Sequence, residues 1–208
     1  MVGSPRAIIT VASALAGLAL GWFAMFWLGT GALDHAVLDA LYAGGDKVRT
    51  SFALIVTRAG DPDLLLLVTG LLALLMIARR DLRPALLFLA ISLSGRLILN
   101  LQKAWIGRPR PDAHLHLIGT RTDSFPSGHA ACAVMVWLTL ALLIPGDARW
   151  RRPAIVAAAL LSFLSGLSRP MLGVHYPSDV IAGWCFGLFW VLLLVRLTAA
   201  PLRTPHLS

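Results

Sequence analysis

The run IITVASALAGLALGWFAMFWL, residues 8–28, contains no charged side chain and decides the fold class. A helix of this length rises about 30 Å, which is the thickness of the hydrocarbon core of a bilayer. Arg6 precedes the run, as is typical of the cytoplasmic end of a membrane span. The alternative is a cleaved signal peptide, but its apolar region would be about 7 to 15 residues long. No small-residue cleavage site is recognisable after residue 28, so we expect a membrane anchor.

The composition of the whole chain also points to a bilayer. The 208 residues are 58% hydrophobic and 13% charged, and the mean hydropathy is +0.78. Soluble domains carry about 25% charged residues. No linker-like stretch divides the chain, so we treat residues 1–208 as a single domain. The formal charge of +8 lies mostly in arginine clusters between apolar runs, which indicates membrane topology and not a nucleic-acid partner.

Five further apolar runs follow the first one. The segment Asp61, Pro62, Asp63 supplies a helix cap and a favourable first turn directly before one of them. Between residues 32 and 58, Leu33, Val37 and Leu41 form one stripe, with Asp34, His35 and Asp39 off it, which predicts an interfacial amphipathic helix. The expected fold is therefore an all-α integral membrane bundle of six transmembrane helices with a short extracytoplasmic amphipathic segment. The five runs cover residues 64–78, 84–101, 129–144, 154–167 and 180–197.

The arginines between the predicted spans indicate the orientation. By the positive-inside rule the side that they share is the cytoplasm, together with both chain termini, in a bacterial-type inner membrane. The opposite, extracytoplasmic side then receives the loops 103–128 and 168–179, which carry most of the polar chemistry. The clusters are Arg6; Arg79, Arg80 and Arg83; Arg149, Arg151 and Arg152; Arg196 and Arg203.

The loop after the third span begins with cations. Lys103, Arg108 and Arg110 lie among the stiffening residues Pro109 and Pro111. Such a group suits an oxyanion. A basic juxtamembrane stretch that binds anionic headgroups is the alternative for this segment alone.

A second group of polar residues directly precedes the fourth span. Ser127 and Gly128 lie where free amides and the helix dipole favour a phosphoryl group, and His129 is placed to deliver a proton. A helix cap with an incidental interfacial histidine is the alternative.

A third group joins the last two spans. Asp179 follows His175 by four residues, at a predicted helix start. At this spacing the carboxylate can reach one ring nitrogen, fix the tautomer and leave the other nitrogen free to attack phosphorus. A simple cap pair is the alternative, but three unrelated caps and anchors have no reason to occupy one predicted membrane face.

With these residues the sequence resembles the type 2 phosphatidic acid phosphatases, known as the PAP2 family. The family pattern is KxxxxxxRP, then PSGH, then SRxxxxxHxxxD, and every position matches. Lys103, Arg110 and Pro111 supply the first element, residues 126–129 supply the second, and the third consists of Ser168, Arg169, His175 and Asp179.

The resemblance implies an enzyme that removes phosphate from a lipid. Lys103, Arg110 and Arg169 would bind the phosphate, with Ser127 and Gly128 completing the cradle. His175 would be the nucleophile, oriented by Asp179, and His129 would protonate the leaving oxygen and then activate water. No cofactor and no metal are expected, because arginine and lysine can supply the charge stabilisation that phosphoryl transfer needs. The expected partners are the bilayer and a lipid phosphate substrate, while the oligomeric state is not indicated.

Two other functions stay open at this point. A lipid phosphotransferase would pass the same phosphohistidine to an acceptor other than water, and a lipid-phosphate transporter would bind without chemistry. Undecaprenyl diphosphate, phosphatidylglycerol phosphate and phosphatidic acid are all candidate substrates. Arg96 on the third span is expected to be satisfied inside the bundle, and Asn100 to form a hydrogen bond between helices.

Overall fold

A computed structural model describes residues 5–144 and 148–198, and the regular structure in these ranges is helical. Each of the six apolar runs forms a helix, and two further helices lie between the first and the second run. A 3₁₀ turn, Thr57–Gly60, precedes the fourth helix. The helices are α1 Pro5–Leu28, α2 Ala32–Leu41, α3 Lys47–Val56, α4 Pro62–Ala78, α5 Leu82–Ile106, α6 Gly128–Leu143, α7 Arg151–Met171 and α8 Pro177–Thr198.

Four of these helices are long and apolar enough to cross a membrane, namely α1, α5, α7 and α8. A fifth crossing results if Lys47–Gly60 and α4, which meet at 40°, form one bent span. The apolar helix α6 is shorter than 18 residues, and most of its side chains are buried inside the bundle. The predicted membrane bundle is therefore confirmed at the level of its class, while the count of six spans stays a prediction.

The polar segment between α1 and α4 differs from the prediction. It is two helices, because Asp46 starts α3 by accepting hydrogen bonds from the amides of Val48 (2.9 Å) and Arg49 (3.0 Å). The predicted apolar stripe is also not the buried face of α2. Leu33 is 78% exposed, whereas Asp34 is buried. Asp34 turns inward because it bonds to the start of α8, a contact that hydrophobic periodicity does not encode.

The start of α4 matches the prediction. One carboxylate oxygen of Asp61 accepts hydrogen bonds from the amides of Asp63 and Leu64, both at 3.0 Å, and Pro62 occupies the first helical position. The arrangement satisfies two of the amides that a helix start leaves free. The helix therefore begins at a defined point, next to the cavity described below.

Helix α6 packs directly on α8, and glycines make the close approach possible. A Cβ added at Gly183 would lie 2.6 Å from the carbonyl oxygen of Ser127 and 2.9 Å from the Cβ of Ala130. One at Gly187 would lie 2.9 Å from the carbonyl oxygen of Ala131. Because these contacts involve backbone, the two helices would have to separate to admit a side chain. The contact fixes the first turn of α6 against the first turns of α8.

We expect the substitution Gly183→Ala to destabilise the protein by about 1 to 3 kcal/mol, because overpacking a close helix contact forces backbone shifts. Thermal unfolding in detergent measures the change. Gly70→Ala in α4 is the matched control, since a Cβ there meets nothing within 4 Å, and alanine favours a helix over glycine. Equal unfolding temperatures for the two variants would contradict the proposed role of this contact.

Candidate active site

A cavity of about 740 Å³ lies where α4 and α6 begin and α5 and α7 end. It is lined by residues from all three motifs, which are far apart in sequence. Six of the eight predicted site residues line it: Lys103, Arg110, Gly128, His129, Arg169 and His175. Asp179 lies behind His175 and is fully buried. Ser127 is also fully buried and does not line the cavity.

The two ring nitrogens of His175 have different surroundings, since one faces the buried Asp179 and the other faces the cavity. Its Nδ1 lies 3.3 Å from Oδ2 of Asp179 and 3.3 Å from the hydroxyl of Ser124. Its Nε2 lies 3.1 Å from Nη1 of Arg110. A guanidinium can only donate, so Nε2 is the accepting nitrogen, and the proton of the neutral ring is on Nδ1. The lone pair of Nε2 is thus the one that faces the cations of the cavity.

The pKa of His175 is lowered well below its ordinary value of 6.5. Burial is the main cause, since the imidazole is 2% exposed, and the positive charges of Arg110, Lys103 and Arg169 add to it. The charged form of a histidine is disfavoured both by desolvation and by neighbouring cations. His175 is therefore neutral at neutral pH, which leaves Nε2 available as a nucleophile.

The carboxylate of Asp179 is saturated with donors. The amide of Tyr176 (3.0 Å) and the hydroxyl of Ser124 donate to Oδ2, beside Nδ1 of His175. Nη1 of Arg108 donates to Oδ1 at 3.0 Å. These bonds leave the carboxylate little freedom to turn, so it holds the His175 ring in one orientation.

Backbone carbonyls hold Lys103 and Arg110 in place. Nζ of Lys103 donates to the carbonyls of Asp123 (2.7 Å) and Ser124 (3.2 Å). The guanidinium of Arg110 donates to the carbonyls of Val174 (2.6 Å) and Thr122 (2.7 Å). Carbonyl dipoles orient the cations but do not neutralise them.

Arg169 approaches the cavity from the end of α7. Its Nη1 donates to the hydroxyl of Thr57 at 2.8 Å, and its buried Nε has no partner among the described residues. Within residues 5–144 and 148–198, none of Lys103, Arg110 and Arg169 forms an ion pair with a carboxylate. The three oriented charges thus have no carboxylate partner in these ranges; Lys103 and Arg169 are buried and Arg110 is half-buried. Such a group at one cavity fits a multiply charged oxyanion.

His129 is the second residue of α6 and is half-buried at the cavity wall. Its imidazole makes no hydrogen bond to any residue in the described part of the chain, so its ring nitrogens are available to a ligand. Gly128 precedes it, and a Cβ at that position would make only ordinary contacts, the nearest being 3.6 Å from Pro62. Packing of the protein itself therefore does not require glycine at this position.

Sequence reasoning missed Ser124 and Thr57, which complete the site. It also grouped Arg108 with the cations that suit an oxyanion, whereas Arg108 does not line the cavity. Arg108 binds Asp179, Ser124 bonds to both Asp179 and His175, and Thr57 holds Arg169. Arg108 and Ser124 stand next to the recognised motifs, but no spacing rule gives their partners. Thr57 and Asp34 lie far from the motifs in sequence and carried no signal.

The expectation for Arg96 of α5 agrees with the structure, whereas the expectation for Asn100 does not. Nη2 of Arg96 pairs with Oδ1 of Asp63 at 2.7 Å, and Nη1 donates to the carbonyl of Pro62, so Arg96 is satisfied between α5 and α4 as expected. The expected interhelical hydrogen bond of Asn100 is absent from the described residues, where Asn100 is exposed and lines the cavity. No group of three histidine, cysteine or acidic side chains with metal-binding geometry occurs in the described ranges.

The fold and the cavity together describe a membrane-type helical bundle with a cavity that is lined by three cations and by the imidazole of His175. The profile of the PAP2 superfamily matches residues 83–202. The chain therefore belongs to the PAP2 superfamily, which confirms the resemblance drawn from the three motifs.

Curated relatives and a solved structure agree with this assignment. Phosphatidylglycerophosphatase B of Bacillus subtilis is 31% identical over 143 residues, covering 67% of this chain and 70% of the relative. A lipid A 1-phosphatase of Rhizobium johnstonii is 42% identical over 119 residues, covering 52% of this chain and 45% of the relative. The chain thus spans slightly less than half of that relative's length. The crystal structure of a PAP2-type phosphatidylglycerolphosphate phosphatase from Bacillus subtilis superimposes with a TM-score of 0.83 at 25% identity, covering 91% of this chain and 98% of the other.

The lowered pKa of His175 predicts an acid-dependent loss of stability. Below pH 6.5 the unfolded chain takes up a proton on this histidine, but the folded chain does not until its lower pKa is reached. In that window stability falls with falling pH, by at most about 1.4 kcal/mol per pH unit. We expect His175→Asn, which cannot titrate, to show a shallower fall of unfolding temperature than the native chain below pH 6.5. Parallel curves would contradict the neutral buried imidazole.

Proposed function

We propose that this chain is a membrane lipid phosphatase that hydrolyses a lipid phosphate or diphosphate through a phosphohistidine at His175. The observation that carries the proposal is the orientation of His175. Its Nδ1 proton is directed at Asp179, and its Nε2 lone pair faces the cavity lined by Lys103, Arg110 and Arg169. A nucleophile and a cationic cradle for its target thus share one enclosed space.

The first step forms a bond between Nε2 of His175 and phosphorus and breaks the bond between phosphorus and the lipid oxygen. The ring becomes cationic, and the carboxylate of Asp179 stabilises it through the Nδ1 proton. Before substrate binds, Arg110 donates to Nε2 at 3.1 Å. On substrate binding this donor turns to a phosphoryl oxygen. The fixed cations stabilise the charge on the equatorial oxygens, which is the main requirement of phosphoryl transfer.

His129 serves both halves of the reaction in this proposal. Once the negative charge of the bound phosphate offsets the surrounding cations, the ring takes up a proton from water and, as an acid, gives it to the departing lipid oxygen. As a base it then takes a proton from water, whose oxygen attacks phosphorus while the bond to Nε2 breaks and inorganic phosphate leaves. Its lack of a protein partner in the described residues supports this role, because both ring nitrogens can meet substrate or water.

The proposed substrate class rests on the cavity and on the relatives. The cavity has room for more than a phosphate group, and the apolar side chains of Pro62 and Leu99 are among those that line it. The relatives named above act, by their names, on lipid A and phosphatidylglycerophosphate, and an undecaprenyl-diphosphatase of Sulfolobus acidocaldarius is 40% identical over 75 residues, covering 36% of this chain and 33% of the relative.

We also propose that the site faces the extracytoplasmic side. Helices α4, α6 and α8 start at the cavity, while α5 and α7 end there. The connections that hold Arg79, Arg80 and Arg83, and Arg149, Arg151 and Arg152, are therefore one helix length away from the site. The positive-inside rule places such clusters in the cytoplasm, and the cavity opposite them.

A phosphoenzyme trap tests the mechanism. We expect His175→Ala to lose phosphate release from every member of a lipid-phosphate panel, because no nucleophile remains, while it still binds vanadate in the cationic cradle. His129→Asn should slow lipid turnover by about 10²- to 10⁴-fold. With a radiolabelled aryl phosphate, whose leaving group needs no protonation, the His129→Asn protein should accumulate an acid-labile, base-stable label.

The double variant lacking both histidines is the matched control and should carry no label. Label on the His175→Ala protein, or its near-normal turnover, would reject the phosphohistidine. Release of phosphate with a single lipid and water identifies a hydrolase, whereas dependence on a second lipid or sugar would identify a transferase.

Gly128 gives a separate test of the cradle. We expect Gly128→Ala to raise KM for the lipid phosphate by roughly 10- to 100-fold, because a methyl group would occupy space needed by the phosphoryl oxygens. Its unfolding temperature should not fall, since a Cβ at this position makes only ordinary contacts with the protein. Gly17→Ala in α1, where a Cβ meets nothing within 4 Å, is the control. An unchanged KM would remove Gly128 from the site.

A further inference from the structure

We propose that Arg108 is a positioning residue for phosphoryl transfer. It holds Oδ1 of Asp179, so that Oδ2 of the same carboxylate accepts the hydrogen bond from Nδ1–H of His175. This inference rests on the proposed function, since it concerns the same nucleophile. Arg108 is outside the motif positions that bind phosphate, and it does not line the cavity. It would act on the reaction only through Asp179.

The two oxygens of Asp179 have separate tasks. Oδ1 accepts Nη1 of Arg108 at 3.0 Å, and Oδ2 faces Nδ1 of His175 at 3.3 Å. The side chain of Arg108 is 7% exposed and that of Asp179 is 0% exposed. Removing one partner of such a buried pair leaves an uncompensated charge, which is strongly unfavourable. Arg108 thus permits an ionised carboxylate to lie behind the imidazole without contact with water.

Arg108 is itself fixed by the end of α1. Its Nη2 donates to the carbonyls of Met25 (3.1 Å) and Phe26 (2.7 Å), which belong to the last turn of that helix. The carbonyl of Met25 also accepts the amide of Gly29 at 3.1 Å. The negative end of a helix dipole favours a cation at these carbonyls. The guanidinium also lies over the ring of Phe125, 4.0 Å from its centroid. The cation therefore has one well-defined position.

The chain leaves space for this arrangement at Gly29. A Cβ at Gly29 would lie 2.5 Å from Nη1 of Arg108 and 2.6 Å from the hydroxyl of Ser178. Any other residue at this position would displace the group that binds Asp179. The close approach of the α1 terminus is an observation independent of the hydrogen bonds, and it indicates the same role for Arg108.

Asp34 of α2 completes the network. Its carboxylate accepts hydrogen bonds from the amide of Ser178 (2.9 Å) and from the hydroxyl of Ser178. The hydroxyl proton is used there, so its oxygen is free to accept Nη1 of Arg108 at 3.1 Å. Arg108 therefore lies between two buried carboxylates, and the first turn of α8 is tied to both α1 and α2.

The charged groups around Asp179 decide how readily its carboxylate binds a proton. Arg108, His175 and Ser124 contact its carboxylate, and the positive charges of Lys103 and Arg110 act on it from the cavity. Tyr176 in the α7–α8 loop is neutral, because burial and the nearby carboxylates raise the pKa of its phenol. Without Arg108 a proton would bind the carboxylate more readily. A protonated Asp179 would be a weaker acceptor for Nδ1–H and would not stabilise a cationic ring, so the tautomer of His175 that exposes Nε2 would be less favoured.

The test is the pH profile of Arg108→Met with short-chain phosphatidylglycerophosphate as the probe. We expect kcat to fall by about 10- to 100-fold, in the range found when partners behind catalytic ligands are lost. KM should change by less than about threefold, because the cradle is intact. The acid limb of kcat should move to higher pH by about 1 to 3 units, the effect of losing an opposite charge at contact distance.

Two further variants separate positioning from folding. Arg108→Lys keeps the charge, and it should return the acid limb towards the native position while restoring kcat only in part. Gly29→Ala keeps Arg108 but displaces it, and it should reproduce the shifted limb. Arg83→Met, an exposed arginine at the opposite end of the bundle, is the control and should leave both quantities unchanged.

Two results would overturn the inference. One is an Arg108→Met protein with native kcat. The other is a reduced kcat with an unmoved acid limb, which would mean that Arg108 serves only the fold. Failure of the proposed function looks different, because His175→Ala would then retain turnover whatever the Arg108 variants do.

Discussion

The site depends on one buried carboxylate. Asp179 lies at the start of α8, and its side chain receives donors from Arg108, Ser124 and Tyr176 in addition to the imidazole of His175. Its backbone carbonyl accepts the amide of Ser127 at 2.9 Å, which also ties the first turn of α6 to the same residue. A group without water must find all of its partners within the protein. The segments that carry the three motifs therefore meet at Asp179.

Within the described part of the chain, the positive charges on the cavity side of His175 are not compensated by carboxylates, in contrast to the charges around Asp179. Behind the ring, a carboxylate and a guanidinium compensate each other at short range. In front of it, Lys103, Arg110 and Arg169 are oriented by carbonyls and a hydroxyl and have no carboxylate partner among the described residues. The imidazole of His175 therefore lies between the charge-compensated pair of Arg108 and Asp179 and the positively charged cavity.

The sequence predicted the fold class and the residues of the cavity because both depend on local signals. Apolar runs identify helices, and Asp61 with Pro62 identifies the start of α4. Asp34 was placed only off the apolar stripe, because an amphipathic pattern contains no information about Ser178, which is its partner across the fold. Arg108 and Thr57 were not assigned partners for the same reason. Ser127 carried a motif position, yet its hydroxyl is buried away from the cavity, since helix geometry and not residue type decides where it points.

The unequal lengths of α4 and α5 have a consequence for the surrounding lipid. Helix α4 has 17 residues and α5 has 25, so the two rise about 25 Å and about 37 Å. The shorter one falls below the usual thickness of the hydrocarbon layer, and a bilayer adapts to such a mismatch by thinning nearby. The start of α4 at Asp61 and Pro62 also lines the cavity. A bilayer that thins beside this helix would therefore bring the headgroups of neighbouring lipids nearer to the site.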